Sequence, residues 1–191
     1  MDEHDEAIEG QVVEQELDPE RETRRRFALA QIRQYPDAAL KMQARPVEEF
    51  DEQLVKLVER MKQLMHDASG IGLAATQVGV LQRLFVFQPE DDEPLAVVNP
   101  EIVERSDETD VADEGCLSIQ GITVPVERSL AVTLVGKDER GAEVRYELEG
   151  YVARCAQHET DHLDGVLMID RTTAEARREA LAVLRPRIVL S

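Results

Sequence analysis

The sequence holds only two cysteines in 191 residues, and no apolar run approaches the roughly 20 residues that a membrane-spanning helix needs. So few cysteines argue against a disulfide-stabilised scaffold and favour thiolate chemistry or metal binding. Basic residues are also scarce, with 22 against 40 acidic residues and a formal net charge of −18. This acidity argues against nucleic acid as the main partner. We therefore expect no membrane span and no sequence-specific nucleic-acid interface.

The N-terminus lacks the basic and then apolar stretch of a secretory signal, so the expected compartment is the cytoplasm. Residues 1–22 hold ten acidic residues against one base, Arg21, and few large apolar side chains. A segment of this composition buries too little surface to offset its ordering entropy. We predict a mobile acidic tail over residues 1–22, which serves solubility or, as the alternative, docks to a partner. A single globular domain is expected over residues 23–191.

Hydrophobic periodicity predicts three helices in that domain. An amphipathic helix is capped by Asp51 and ended by Gly70. A second helix is predicted from about Tyr151 to Asp164, and a shorter last helix from the capping box at Thr172 to a point before Pro186. The apolar stripe of the first helix consists of Leu54, Val58, Met61, Met65 and Ala68.

Short runs rich in β-branched residues predict strands between these helices. A turn at residues 138–141 pairs the last two strands as a hairpin. The resulting fold class is α+β: antiparallel strands packed around the second helix, with an N-terminal amphipathic helix and a short C-terminal helix. The predicted strands are Leu84–Phe87, Leu95–Val98, Ile102–Glu104, Ala131–Val135 and Glu143–Leu148.

The second helix carries an H-E-x-x-H motif formed by His158, Glu159 and His162. At 3.6 residues per turn the two histidines lie on one helical face, where they can bind one metal ion. Glu159 is then placed to accept a proton from a water that the metal has acidified. This pattern is typical of a metallohydrolase.

Two histidines leave the metal in need of a third ligand, and Cys116 beside Gly115 is the best candidate. A thiolate is a strong zinc or iron ligand, and one cysteine with two histidines leaves a coordination position for water. Cys155 offers an alternative, because it shares the helical face of the histidines and would complete a closed, structural Cys2His2 site. The spacing alone leaves this alternative open, although Glu159 argues against it.

A small-residue stretch over residues 69–79 follows the amphipathic helix. It fits a helix stop with a tight turn, or a backbone segment that passes close to a substrate, with Gln77 as an amide donor. A phosphate-binding loop is poorly supported, because no lysine follows at the required spacing and no strand precedes the stretch.

Together the stretch Gly70–Gln77, the Glu114–Ser118 segment and the His158–His162 motif resemble peptide deformylase, whose motifs are G-x-G-L-A-A-x-Q, E-G-C-x-S and H-E-x-x-H in this order. The resemblance runs from about Arg26 to about Arg171.

The resemblance implies removal of the formyl group from N-formylmethionyl nascent peptides, with release of formate. It implies Cys116, His158 and His162 as metal ligands and Glu159 as the catalytic base and later acid. The family generally uses Fe(II) and often accepts zinc or nickel, whereas the ligand types alone would indicate zinc. Transient association with the ribosome is a further expectation.

The resemblance also implies substrate contacts. Gln77 and the backbone N–H of Leu117 would stabilise the charge that develops on the formyl oxygen. Gly72 would let the substrate backbone approach, and Ile71 with Leu117 would line a methionine pocket, although both fit a plain core equally well. Arg128 is assigned to substrate binding, with a structural pairing to Asp161 or Glu114 as the alternative.

A zincin-type protease is the competing enzyme class, with a third ligand from Glu175 or Glu179. A metal-stabilised binding protein with a closed site is the competing non-enzyme class.

Overall fold

The computed structural model describes residues 18–89 and 93–184. Two short 3-10 helices, Ala38–Lys41 and Ala75–Val78, accompany five α-helices and seven strands in these ranges. No helix within them is both long and apolar enough to cross a membrane. The helices are α1 (Pro19–Leu29), α2 (Glu52–Asp67), α3 (Gly150–Leu163), α4 (Met168–Arg171) and α5 (Ala174–Leu184). The strands are β1 (Gly72–Ala74), β2 (Leu84–Phe87), β3 (Leu95–Arg105), β4 (Thr109–Cys116), β5 (Ile119–Ser129), β6 (Ala131–Lys137) and β7 (Glu143–Glu149).

The strands form two antiparallel sheets. Five of them pair in the order β1-β2-β3-β6-β7, and β4 pairs only with β5 among the described residues. The β6–β7 hairpin turns at Asp138, whose carboxylate accepts from the backbone N–H groups of Arg140 and Ala142. Helices around antiparallel sheets confirm the predicted α+β class.

The larger sheet is covered by helices on both faces near β2, which explains why this strand is apolar at every position. Leu84 and Val86 pack into a cluster with the apolar stripe of α2. Phe85 and Phe87 point the other way and pack with Ala156 of α3. Because successive side chains alternate between faces, a strand covered on both sides needs a continuous apolar run. α3 is therefore held against the sheet.

The amphipathic helix is confirmed as α2. The Asp51 side chain accepts from the backbone N–H groups of Gln53 and Leu54, so it is the predicted cap. All five residues of the predicted stripe are buried. The last helix is also present, but its cap is Thr173 rather than Thr172, since Thr173 Oγ1 accepts from Ala176 N at 3.2 Å. The prediction for Pro186 lies outside the described residues.

The tail boundary predicted at residue 22 is wrong, because α1 begins at Pro19. Asp18 caps this helix by accepting from Glu20 N, and proline at the first helical position is favourable. Hydrophobic periodicity does not indicate α1, because only Ala28 and Leu29 of this helix are buried. Residues 1–17 of the predicted tail lie outside the described residues.

Two strands of the smaller sheet and one bulge were not predicted. Residues 95–105 form one strand rather than two, with register shifts on either side of residues 101 and 102. Pro100 and a positive φ of 52° at Asn99 mark this irregularity. β4 is rich in acidic residues and β5 contains Pro125, so neither has the usual composition of a strand.

Two glycines at the ends of α3 test how tightly its position is fixed. Gly150 and Gly165 both have positive φ, 57° and 70°. A Cβ on Gly165 would lie 2.5 Å from the Lys41 carbonyl oxygen, whereas one on Gly150 would meet nothing within 4 Å. Both alanine variants therefore carry the backbone cost of about 1–2 kcal/mol, and only Gly165→Ala adds a steric cost. Urea unfolding should show Gly165→Ala to be the less stable variant by at least about 1 kcal/mol. Equal stabilities would contradict this packing.

Candidate metal centre and active site

Three separate segments meet at one cavity of about 390 Å³. The 3-10 helix after β1 contributes Gln77, the end of β4 contributes Cys116, and α3 contributes His158 and Glu159. His162 lies one helical turn beyond His158, and its ring centroid is 4.9 Å from that of His158. The structure therefore brings together the residues of all three sequence motifs.

The donor atoms of Cys116, His158 and His162 lie within 4.8 Å of one another. His162 Nε2 is 3.3 Å from Cys116 Sγ and 3.2 Å from His158 Nε2. Ligand atoms arranged tetrahedrally around a cation at about 2.0–2.3 Å are roughly 3.3–3.8 Å apart. One thiolate and two imidazole nitrogens at this spacing fit a transition-metal cation.

The second cysteine is directed away from this cluster. Cys155 Sγ is 3.5 Å from the Ile71 carbonyl oxygen, to which its thiol donates. Burial, with the nearby charges of Glu159 and Glu114, raises the pKa of the Cys155 thiol well above its usual value, which disfavours a thiolate. Cys155 is not among the clustered donors of the described residues, which contradicts the closed Cys2His2 alternative.

The glutamates that a zincin-type site would need are also absent from the cluster. Glu175 and Glu179 are exposed on α5, and within the described ranges the only grouped metal-ligand candidates are Cys116, His158 and His162. The third donor comes from upstream of the histidine motif.

Glu114 connects the strand that carries Cys116 to the helix that carries the histidines. Its Oε2 atom is 3.0 Å from His158 Nδ1, and its Oε1 atom accepts from Arg128 and Arg154. Burial opposes its ionisation, but hydrogen bonds from His158 and Arg128 lower the Glu114 pKa to about 2. An ionised partner at Nδ1 holds the imidazole with Nε2 directed towards the other donor atoms.

Arg128 does not line the cavity, which corrects its assignment to substrate binding. The residue is 7% exposed, and its guanidinium donates to both oxygens of Glu114 and to Asp161 at 2.6 Å. Asp161 in turn accepts from Arg171. These pairings match the alternative prediction, in which Arg128 is a structural partner of Glu114 or Asp161.

Glu159 lies against β1, where the absence of a side chain at Gly72 leaves room for its carboxylate. A Cβ on Gly72 would be 2.4 Å from Glu159 Oε1 and 2.8 Å from Cys155 Sγ. Burial raises the Glu159 pKa to about 7, against the charge of His158. Glu159 Oε2 is buried and has no hydrogen-bond partner among the residues that the structure describes. An unpaired buried carboxylate oxygen is costly unless another group, such as a reacting water, uses it.

The amide of Gln77 is oriented by its neighbours. Its Oε1 atom accepts from Ala74 N at 2.8 Å, which directs its Nε2 towards Ser118 Oγ at 3.1 Å and Cys116 Sγ at 3.7 Å. Leu117 follows Cys116, and its carbonyl accepts from Gln34. The direction of the Leu117 N–H stays a prediction.

The backbone of Gly72 is directed towards the cavity. Gln88 N donates to Ile71 O, so these two residues form a hydrogen-bonded pair of the β1–β2 ladder. In an antiparallel ladder the next pair, Gly72 opposite Phe87, is then not hydrogen-bonded. The N–H and C=O of Gly72 therefore point to the free edge of β1. Ile71 and Leu117 are partly buried beside this edge and line the cavity.

Sequence analysis missed Arg154, which lines the cavity and is 8% exposed. It donates to Glu114 and to the backbone carbonyls of Asp110 and Val126. Its position four residues before His158 could have indicated this role. A charged residue on the same helical face as a metal ligand needs a buried partner.

Comparison with known proteins identifies the family of this site. The family model described as polypeptide deformylase matches residues 29–178. The chain belongs to the polypeptide deformylase family. Peptide deformylase of Thermotoga maritima is 50% identical over 146 residues, covering 76% of this chain and 88% of the relative.

Solved deformylases also share the fold. The Thermotoga maritima crystal structure has a TM-score of 0.72 at 51% identity, and it covers 74% of this chain and 96% of that one. The Synechococcus elongatus enzyme in complex with actinonin has a TM-score of 0.76 at 40% identity, covering 80% and 86%. The resemblance seen in the motifs is confirmed, and the chain is an enzyme of a metal-dependent family. The match extends into α5, beyond the limit near Arg171 expected from the sequence.

The two cysteines provide a matched test of the metal centre. Cys116→Ala removes one of three clustered donors, so metal affinity should fall by more than about 100-fold. Cys155→Ala changes a thiol that lies outside the cluster and should retain the metal. Competition with a chelator, followed by metal analysis under anaerobic conditions, measures both. Equal metal loss in the two variants would contradict the assignment.

The buried pairs of Arg128 should be important for folding. Arg128→Ala leaves Glu114 and Asp161 short of a cation in the interior, which typically costs about 3–5 kcal/mol. Arg145→Ala is the control, because its pair with Glu104 is exposed by 52% and 66% and should be worth at most about 1 kcal/mol. Chemical denaturation of both proteins measures the difference. A loss for Arg128→Ala no greater than that for the control would place this network outside the stabilising core.

Proposed function

We propose that this chain hydrolyses the formyl group from the N-terminal formylmethionine of nascent proteins and releases formate. The observation that carries the proposal is the cluster of Cys116, His158 and His162 beside the unpaired carboxylate oxygen of Glu159. Cys116, His158 and Glu159 line one cavity of this deformylase-family enzyme. We place the enzyme in the cytoplasm, with transient association to the ribosome as part of the same proposal.

The three clustered donors would hold Fe(II), with zinc or nickel as substitutes. A cation bound there supplies Lewis-acid activation of a water and of the formyl carbonyl. A soft thiolate and two imidazoles are compatible with each of these ions. Glu114 supports the site by holding His158 from behind.

Glu159 accepts the proton of the attacking water and later donates it to the departing amine. Its pKa near 7 suits both roles, since a group that titrates near the working pH can serve as base and then as acid. The unpaired Oε2 atom is the acceptor for that proton.

Gln77 stabilises the oxygen on which negative charge develops. Its acceptor oxygen is occupied by Ala74 N, so its Nε2 donates towards the centre of the site. The Leu117 N–H is assigned the same task. A preorganised donor of this kind is typically worth about 3 kcal/mol in the transition state.

The substrate backbone pairs with the free edge of β1 through Gly72. This strand-like pairing places the formyl group at the catalytic end, near Glu159 and Cys116. The methionine side chain occupies the apolar part of the cavity, which Ile71 and Leu117 line.

Formate release from a formyl-Met peptide by the anaerobic, Fe(II)-loaded enzyme tests the proposal. Glu159→Gln removes the proton acceptor and should lower the rate by at least about 100-fold while metal binding persists. Glu175→Gln, on exposed α5, is the control and should retain full activity. Absence of formate release by folded, metal-loaded protein would refute the proposal. Internal cleavage of an unformylated peptide would indicate a protease instead.

A further inference from the structure

The helix α1 brings arginines to the mouth of the active-site cavity. It carries Arg21, Arg24, Arg25 and Arg26 in a chain whose formal net charge is −18. Arg25 lines the same cavity as Cys116 and Glu159. Most of α1 precedes residue 29, where the family match begins, so these arginines are outside the part shared with the family.

Two of the other arginines continue this basic surface away from the metal cluster. Arg21 and Arg24 line a neighbouring cavity together with Ser69 and Gly70. Ser69 and Gly70 also line the main cavity. The two cavities therefore adjoin at the residues that precede β1, and the arginines follow this path. We call the set Arg21, Arg24 and Arg25 the arginine rim.

Within the described part of the chain, the charges of the rim are mostly not neutralised by ion pairs. Among residues 18–89 and 93–184, Arg21 and Arg25 have no carboxylate within ion-pair distance. Arg24 approaches Glu20 at 3.9 Å, and both side chains are more than half exposed, so this pair is weak. Four acidic residues line the same cavities. Asp67 accepts from Gln63, Asp113 is exposed on β4, and Glu114 and Glu159 are buried at the metal cluster.

The proposed function sets the direction in which a substrate leaves the catalytic end. Gln77 lies after the C-terminal end of β1, whereas Ser69 and Gly70 lie before its N-terminal end. A peptide whose formyl group is near Glu159 and whose first residue pairs with Gly72 then runs antiparallel to β1. Its following residues pass Gly70 and Ser69 and reach the arginine rim.

We propose that the arginine rim binds acidic side chains at the third and later positions of formylmethionyl peptides, and so gives this enzyme a preference for acidic nascent N-termini. This inference rests on the proposed function for its substrate direction. Arg21 and Arg24 are exposed and Arg25 is half-buried, so the preference should be modest and should fall with ionic strength.

The preference is measured with formyl-Met-Ala peptides that continue with two glutamates, two glutamines or two lysines. At low salt, kcat/KM for the acidic peptide should exceed that of the glutamine peptide by about threefold to tenfold, the range of one or two exposed ion pairs. The value of kcat/KM should fall from the acidic to the neutral to the basic peptide, and 0.5 M NaCl should reduce these differences. The double variant Arg24→Gln, Arg25→Gln should bring the acidic-to-neutral ratio close to one. Arg26 lines neither cavity, so the Arg26→Gln variant should keep the acidic-to-neutral ratio of the parent enzyme.

Binding of the same peptides without the formyl group, by calorimetry, separates this inference from the proposed function. If the parent enzyme binds the acidic peptide more tightly than the others and the double variant does not, the rim is supported even if no formate is released. Equal turnover of all three peptides, with equal binding, would overturn the rim and leave the deformylase function standing. A preference that persists in the double variant would also overturn it. Loss of polyuridylate binding in the double variant, without any peptide preference, would assign the arginines to RNA.

Discussion

The carboxylate of Glu114 joins the two halves of the active site. Cys116 lies on the two-stranded sheet, whereas His158 and His162 lie on a helix packed against the other sheet, so the cluster exists only where these units meet. Glu114 binds His158 on one side and two arginines on the other. The arginines compensate for the cost of burying its charge, and the charge in turn orients the imidazole. A single ionised group therefore stabilises the fold and sets the geometry of the candidate ligands.

Close packing of α3 on β1 imposes the second constraint. Glycine at position 72 leaves the space that the Glu159 carboxylate occupies, and its backbone remains available at the free edge of the strand. The same contact confines Cys155 to the Ile71 carbonyl. Glycine at this position thus leaves room for the candidate base, and the place of β1 at the edge of the sheet leaves its backbone accessible. The glycine-punctuated stretch therefore contributes space and a strand edge to the site in addition to the amide of Gln77.

Prediction succeeded where local patterns had a single structural solution. The stripe of α2 is buried because its spacing matches the helical period, and the predicted strand Leu84–Phe87 is present as β2. It failed for α1, whose charged residues have no apolar stripe, and for β4 and β5, which pair with each other through acidic and proline-containing segments. Local composition does not reveal the partners of these elements, because α1 packs on α2 and β4 and β5 pair with each other as a hairpin. The role of Arg128 was left between two alternatives for the same reason, since its partners lie 14 and 33 residues away.

Helical spacing alone determined that His158 and His162 share a face and that Glu159 lies beside them, because an α-helix has a fixed pitch. The order of the three motifs determined the family. Only the tertiary structure decided that Cys116 rather than Cys155 joins the histidines, that Arg128 lies behind the site, and that Arg25 of α1 reaches the cavity. Spacing along one helix limits which side chains can meet, whereas the choice among residues on different elements depends on how the sheets and helices pack.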